Sequence, residues 1–222
     1  MTDTVKPFPI LFVDGVDGTG KTTLVQQLKE ALSKRCPDRP LLAVRLPENT
    51  GRVGYRDIVK SGPRTPVNDR QAASFHMEDA LLNAAAFVSV MDGVKAFREE
   101  HPEGIVLFDR SPESVDCYQV DHRKNASFRY GFNLLRDELY NDVGPSWVFV
   151  LKPPADFIVK NLSTDRTGGT DVIDDLVKAD AQGRRDLYRN TARSTRIMAL
   201  TNPQTYLSDV LAVLEHQGNI PA

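Results

Sequence analysis

The chain alternates short apolar runs with longer stretches of helical periodicity. Pro9 to Asp14 (PILFVD), Leu41 to Leu46 (LLAVRL), Ile105 to Phe108 (IVLF) and Trp147 to Leu151 (WVFVL) are continuous and rich in Val, Ile, Leu and Phe. That is the pattern of strands buried on both faces. A fifth, weaker strand is expected near Gln204 to Leu207. Helical patterns occupy Lys21 to Lys34, roughly Val67 to Glu100, Phe128 to Tyr140, Ala155 to Leu162, and Val172 to Ala199. This β-α-β-α order predicts an α/β fold, a five-stranded parallel sheet with helices on both faces. Ligands bind such sheets beyond the carboxyl ends of the strands, so the chemistry is sought just after each strand.

Composition narrows the picture without redirecting it. The 222 residues suit a single domain over 1–222, and 41% hydrophobic with 26% charged residues excludes disorder as the main theme. Cys36 and Cys117 are the only cysteines, which excludes a disulfide scaffold and suits a reducing compartment. No apolar run approaches the roughly 20 residues that span a bilayer. The start, MTDTVKPFPILFVDG, lacks the basic opening and small-residue cleavage site of a signal peptide, so a cytoplasmic protein is expected. Without that signal, the glycosylation sequons at Asn125 and Asn161 read as chance. Twenty-eight basic against 30 acidic residues give −2, no footprint for a nucleic acid polymer or an anionic membrane, while a small anionic ligand stays open.

Directly after the first strand stands Gly15-Val-Asp-Gly-Thr-Gly20-Lys21-Thr22, the spacing G-x-x-x-x-G-K-T between a strand and a helix. Glycines at 15, 18 and 20 let consecutive N–H groups converge on one anion, and the helix from Lys21 adds its positive end. Gly15, Asp17, Gly18, Thr19, Gly20, Lys21, Thr22 and Thr23 form the expected ATP-phosphate cradle. Lys21 is placed to reach the β and γ phosphates and Thr22 to ligate Mg²⁺. The glycines do not fit the dinucleotide spacing G-x-G-x-x-G. A P-loop alone gives nucleotide binding and no particular reaction, because motors, switches and small-molecule kinases share it.

The third strand ends in Phe108-Asp109-Arg110-Ser111, followed by Ser114, Tyr118 and Gln119. Asp109 is a candidate Mg²⁺ ligand, usually through water, and Arg110 offers an always-charged fork for a phosphoryl group. With the P-loop phrase Phe12 to Leu24, this stretch resembles the thymidylate kinase family, and the likeness runs from about residue 9 to 195. The family has an aspartate two residues after the first P-loop glycine, here Asp17, and an Asp-Arg step after strand three. Val44-Arg45-Leu46-Pro47-Glu48 is similar to the family's Arg-Phe-Pro-Glu step, and Phe75 falls where the family stacks a phenylalanine on the acceptor base.

The resemblance implies an ATP- and Mg²⁺-dependent kinase acting on a deoxynucleoside 5′-monophosphate, with dTMP favoured. Arg45 and Arg110 would hold the acceptor phosphate and Asp17 the sugar 3′-hydroxyl. Phe75, Ser114, Tyr118 and Gln119 complete the acceptor site. The polar stretch Ser163 to Asp175 becomes a lid that supplies Arg166, because family members with a glycine at the position of Gly18 tend to bring the catalytic arginine from there. Lys21, Asp109, Arg110 and Arg166 are the implied catalytic set; Lys152, Arg184 and Arg185 are alternatives to Arg166. A homodimer through long helices, including Ala80 to Val94, is also implied.

This sequence departs from the family at several positions. Asp79 stands where an arginine lies near the base, Ser111 replaces Tyr, Asn49 replaces a second phosphate-binding arginine, and Asp14 replaces the Glu before the first glycine. Asp79 leaves another deoxynucleotide open as acceptor. A deoxynucleoside kinase is the rival reading; it needs a general base near the end of strand one, for which Asp14 is conceivable. A GTP-binding switch needs an Asn-Lys-x-Asp step, which the sequence lacks.

Overall fold

The computed structural model describes residues 7–45, 87–114, 136–137, 140–141, 144–164, 177–183, 185–186 and 197–221. Among these run β1 (Ile10–Asp14), α1 (Lys21–Arg35), β2 (Leu41–Arg45), α2 (residues 87–100), β3 (Ile105–Asp109), β4 (Ser146–Leu151), α3 (Ala155–Thr164), β5 (Ile197–Leu200) and α4 (Tyr206–His216). The strands form one five-stranded sheet in the order β2-β3-β1-β4-β5, and every pairing is parallel.

Alternation along the central strands builds two cores. Ile10 and Phe12 of β1, Val106 and Phe108 of β3, and Val148 and Val150 of β4 face one side. There they meet Phe87, Val90, Met91 and Val94 of α2 and Ile158 and Leu162 of α3. The α2 residues recur at the three- and four-residue steps that keep one helix stripe apolar. On the opposite side Leu11, Val13, Leu107 and Phe149 pack on Leu24, Leu28 and Leu32 of α1 and on Tyr206, Val210 and Leu214 of α4. Covering both faces is what makes the strand sequences continuous apolar runs.

The neighbours of β1 are β3 on one side and β4 on the other, so the chain leaves the sheet in opposite directions around the end of β1. That switch point is where open α/β sheets form their ligand crevice. Asp14, Arg45 and Asp109 are the last residues of β1, β2 and β3, and Arg45 is in register with Asp109.

The fifth strand is not at Gln204 to Leu207. It is Ile197–Leu200, paired with β4 from Val148↔Ile197 to Leu151↔Leu200, and Tyr206–His216 is a helix. Ile-Met-Ala-Leu suits a helix as well as a strand by local preference, and only the open edge of β4 decides for strand. A turn follows at Asn202-Pro203, where Asn202 Oδ1 accepts the Gln204 amide at 3.1 Å. The helical pattern expected over Val172 to Ala199 therefore stops before Ile197. No helix among the described residues is long and apolar enough to cross a membrane.

Candidate functional site

The loop after β1 is built by its glycines. Gly15, Gly18 and Gly20 all have positive φ, at +148°, +81° and +92°, a region that side chains disfavour. At Gly18 the requirement is doubled. A Cβ there would stand 2.8 Å from the Ile158 carbonyl and 2.8 Å from Leu162 Cγ, because α3 packs directly on the loop. Asn161 fastens the same contact, its side-chain amide donating to the Gly18 carbonyl at 2.9 Å. Thr19 is buried and its hydroxyl donates to the Val16 carbonyl at 2.8 Å, so its side chain shapes the loop from within.

Gly20 is the N-cap of α1, and the helix has neither a side-chain cap nor an acidic residue in its first turn. Its first residues are Lys21, Thr22 and Thr23. The first N–H groups of a helix have no partner within it, and the aligned peptide dipoles leave partial positive charge there. An uncapped start headed by a lysine is poorly neutralised by the protein and suited to an anion. Among the described residues, a Cβ at Gly20 would meet nothing within 4 Å.

Lys21 is buried and lies across the loop, with Nζ 2.9 Å from the Gly15 carbonyl, 2.9 Å from the Val16 carbonyl and 3.3 Å from Asp17 Oδ1. Burial pushes its ammonium below the ordinary lysine range, Arg110 adds to that, and Asp17, Asp14 and Asp109 oppose it. Asp17 also takes the guanidinium of Arg110, with Nη2 3.0 Å from Oδ1. Asp17 thus joins the P-loop to the residue that follows β3.

Asp109 is almost fully buried, and the Thr22 hydroxyl donates to its Oδ2 at 3.1 Å. Arg45 Nε stands 3.7 Å from the same oxygen while its side chain is 56% exposed. A hydroxyl and one carboxylate at the mouth of a phosphate loop fit Mg²⁺, which usually takes one or two carboxylates and completes its shell with phosphates and water. Among the described residues no group of three or more His, Cys, Asp or Glu is arranged to hold a metal ion.

The structure therefore brings together Gly15, Asp17, Gly18, Thr19, Gly20, Lys21, Thr22, Arg45, Asp109 and Arg110, with Thr23 exposed on the first turn of α1. Ser114 is also close, but its hydroxyl is turned inward and donates to Asp14. Phe75, Tyr118, Gln119 and Arg166 lie outside the described residues, as do Asp79, Asn49 and Arg184. Of the expected lid, Ser163 and Thr164 belong to the last turn of α3, with hydroxyls donating to the Val159 and Lys160 carbonyls, and 165–175 lie outside the described residues. Lys152 is buried just past β4.

Sequence reasoning missed a polar layer behind the site. Asp14, Ser111, Glu113, Arg136 and Tyr140 lie next to one another: Arg136 is 3.4 Å from Glu113 Oε2, and the Tyr140 hydroxyl donates to Glu113 Oε1 at 3.4 Å. Burial, with Glu113 and Asp14 adding to it, raises the Tyr140 phenol well above its ordinary range. In the sequence Asn161 stands out only as part of a sequon.

No family model matches the chain. It is 28% identical over 211 residues to a thymidylate kinase of Pediococcus pentosaceus, covering 91% of this chain and 94% of that protein. The chain thus has the α/β architecture of a P-loop kinase fold and a thymidylate kinase-like sequence over nearly its whole length.

Proposed function

We propose that this protein is a nucleoside monophosphate kinase that transfers the γ-phosphoryl group of ATP to the 5′-phosphate of a deoxynucleotide, dTMP before others. One observation carries the reading: the uncapped start of α1, the Thr22–Asp109 pair and two arginines from separate strand ends meet around one loop. In the reaction the bond from the γ-phosphorus to the bridging oxygen breaks, and an oxygen of the acceptor monophosphate forms the new one. That oxygen is already ionised, so the step needs position and charge neutralisation and no general base.

The loop amides and Lys21 hold the donor phosphates. Thr22 directly, and Asp109 through water, would hold Mg²⁺, which when bound neutralises charge on the donor phosphates. Arg45 and Arg110 hold the acceptor phosphate, and Asp17 takes the acceptor's 3′-hydroxyl. Phe75 stacks on the base, with Tyr118 beside the sugar and Gln119 and Ser114 near it. Arg166, from a lid over 163–175, neutralises charge in flight. The chain acts as one domain over 1–222, as a homodimer in the cytoplasm.

The deoxynucleoside kinase reading is disfavoured by the surroundings of Asp14. Its carboxylate is fully buried and accepts hydrogen bonds from Gly15, Ser111 and Ser114, so it is saturated where a base must be open to a hydroxyl.

The test is a coupled ADP-release assay with ATP and Mg²⁺ on dTMP, dUMP, dGMP, dCMP, dAMP and the free nucleosides. Turnover that requires a monophosphate and is greatest on dTMP is expected. Turnover on nucleosides alone would overturn the proposal and the role given to Arg45.

A further inference from the structure

Arg110 is the one non-glycine residue with a positive φ, +87°, among the described residues. The backbone around it shows why. Its own N–H donates to the Val13 carbonyl at 2.9 Å, and the next amide, that of Ser111, donates to Asp14 Oδ2 at 3.1 Å. In a regular strand successive N–H groups point to opposite sides. Two in succession directed at β1 require the residue that separates them to leave the extended region. Asp14 is thus the acceptor that makes the turn.

The carboxylate is itself held rigidly. Asp14 is 0% exposed at the end of β1. Its Oδ1 takes the Gly15 amide at 2.7 Å, the Ser114 hydroxyl lies 2.7 and 2.8 Å from its two oxygens, and the Ser111 hydroxyl donates to Oδ2. The start of the P-loop and the exit from β3 are tied to one side chain. The Arg110 side chain leaves this knot toward the P-loop, with its guanidinium 3.0 Å from Asp17.

We propose that Asp14 is a positioning residue for the acceptor phosphate: with Ser111 and Ser114 it holds Arg110 in the left-handed turn and aims its guanidinium at the mouth of the P-loop. This rests on the reading of Arg110 as an acceptor-phosphate ligand. Asp14 itself touches no substrate, so its removal acts through Arg110.

Asp14→Asn keeps the shape of the side chain but replaces one acceptor oxygen with a donor that faces donors. Misplacing a binding group by about 1 Å can lower rates by up to about 100-fold, so KM for dTMP is expected to rise about 10- to 100-fold, with KM for ATP changing less than about twofold. In an Arg110→Ala background, Asp14→Asn is expected to add almost nothing. Full additivity, or equal losses for both substrates, would overturn the proposal in favour of a merely structural carboxylate. If Asp14→Asn does not fold, Ser111→Ala, which keeps the amide, is expected to show the same split at smaller size.

A second readout does not depend on the reaction. A crystal structure of the Asp14→Asn variant is expected to show Arg110 at negative φ with its guanidinium away from Asp17. Arg110 unchanged near +87° would overturn the positioning role whatever the acceptor proves to be. Absence of monophosphate turnover by the unaltered protein would instead overturn the kinase reading, and the crystal structure would still decide the turn.

Discussion

Gly18 and Gly20 lie two residues apart in one loop, both left-handed, in different surroundings, and that difference sets up a quantitative test. Alanine at Gly20 would stand at φ +92° with no described residue within 4 Å of its Cβ, whereas alanine at Gly18 would stand at +81° with its Cβ 2.8 Å from both the Ile158 carbonyl and Leu162 Cγ. The left-handed region costs a non-glycine residue about 1–2 kcal/mol. Reduced freedom of the unfolded chain returns about 0.4–1 kcal/mol. Gly20→Ala should therefore lower stability by up to about 1.6 kcal/mol. Gly18→Ala carries the same terms and also forces apart two packed elements, an overpacking of about 1–3 kcal/mol, because one contact is backbone and cannot rotate away. A chain of this size loses about 2–4 °C in Tm per kcal/mol, so the two variants should differ by about 2–12 °C. Urea and thermal melts of the purified variants measure it. Equal losses at 18 and 20 would refute the claim that α3 is seated on the P-loop.

Asn161→Ala removes the bond to the Gly18 carbonyl, and a loss of about 1 kcal/mol in urea melts with a raised KM for ATP is expected; unchanged values for both would remove Asn161 from the loop's support. Tyr206 is buried, with its hydroxyl lacking a hydrogen-bond partner among the described residues. Tyr206→Phe should hold or raise stability by up to about 1 kcal/mol in the same melts, and a clear loss would reveal a partner for that hydroxyl. Burial raises the phenols of Tyr140 and Tyr206, so the folded chain keeps protons that the unfolded chain releases above about pH 10. Stability from each is present below that pH and falls above it by about 1.4 kcal/mol per pH unit. Lys21, pushed down by burial, acts with the opposite sign just below pH 10.5. Denaturant melts from pH 9 to 11.5 should show the decline, and Tyr140→Phe should make its slope shallower; an unaltered slope would place the Tyr140 phenol in water.

Much of the sheet was legible because buried parallel strands are continuous apolar runs. Four of them appear within a residue or so of their observed ends. Ile197–Leu200 was hidden because its residues serve a helix equally well and the deciding partner, β4, is distant in sequence. The P-loop was legible for a local reason: each glycine meets a local backbone demand within one strand-to-helix turn. Asp14 stands out in the sequence as a departure from the family pattern and a conceivable base, Ser111 as a separate departure, and the fold makes them direct hydrogen-bond partners 97 residues apart. Gly18 likewise reads as a loop glycine, while its packing against Leu162 comes from the docking of α3. Long-range pairings of this kind leave no periodic trace in a single sequence.

The most direct measurement follows the phosphoryl group itself. ATP labelled in its γ-phosphate, incubated with the protein, Mg²⁺ and dTMP, should place the label in the terminal phosphate of dTDP, and Lys21→Ala should abolish the transfer. Label released as inorganic phosphate at the same rate with and without dTMP would contradict the account, since the loop would then hydrolyse ATP without passing its phosphoryl group to an acceptor.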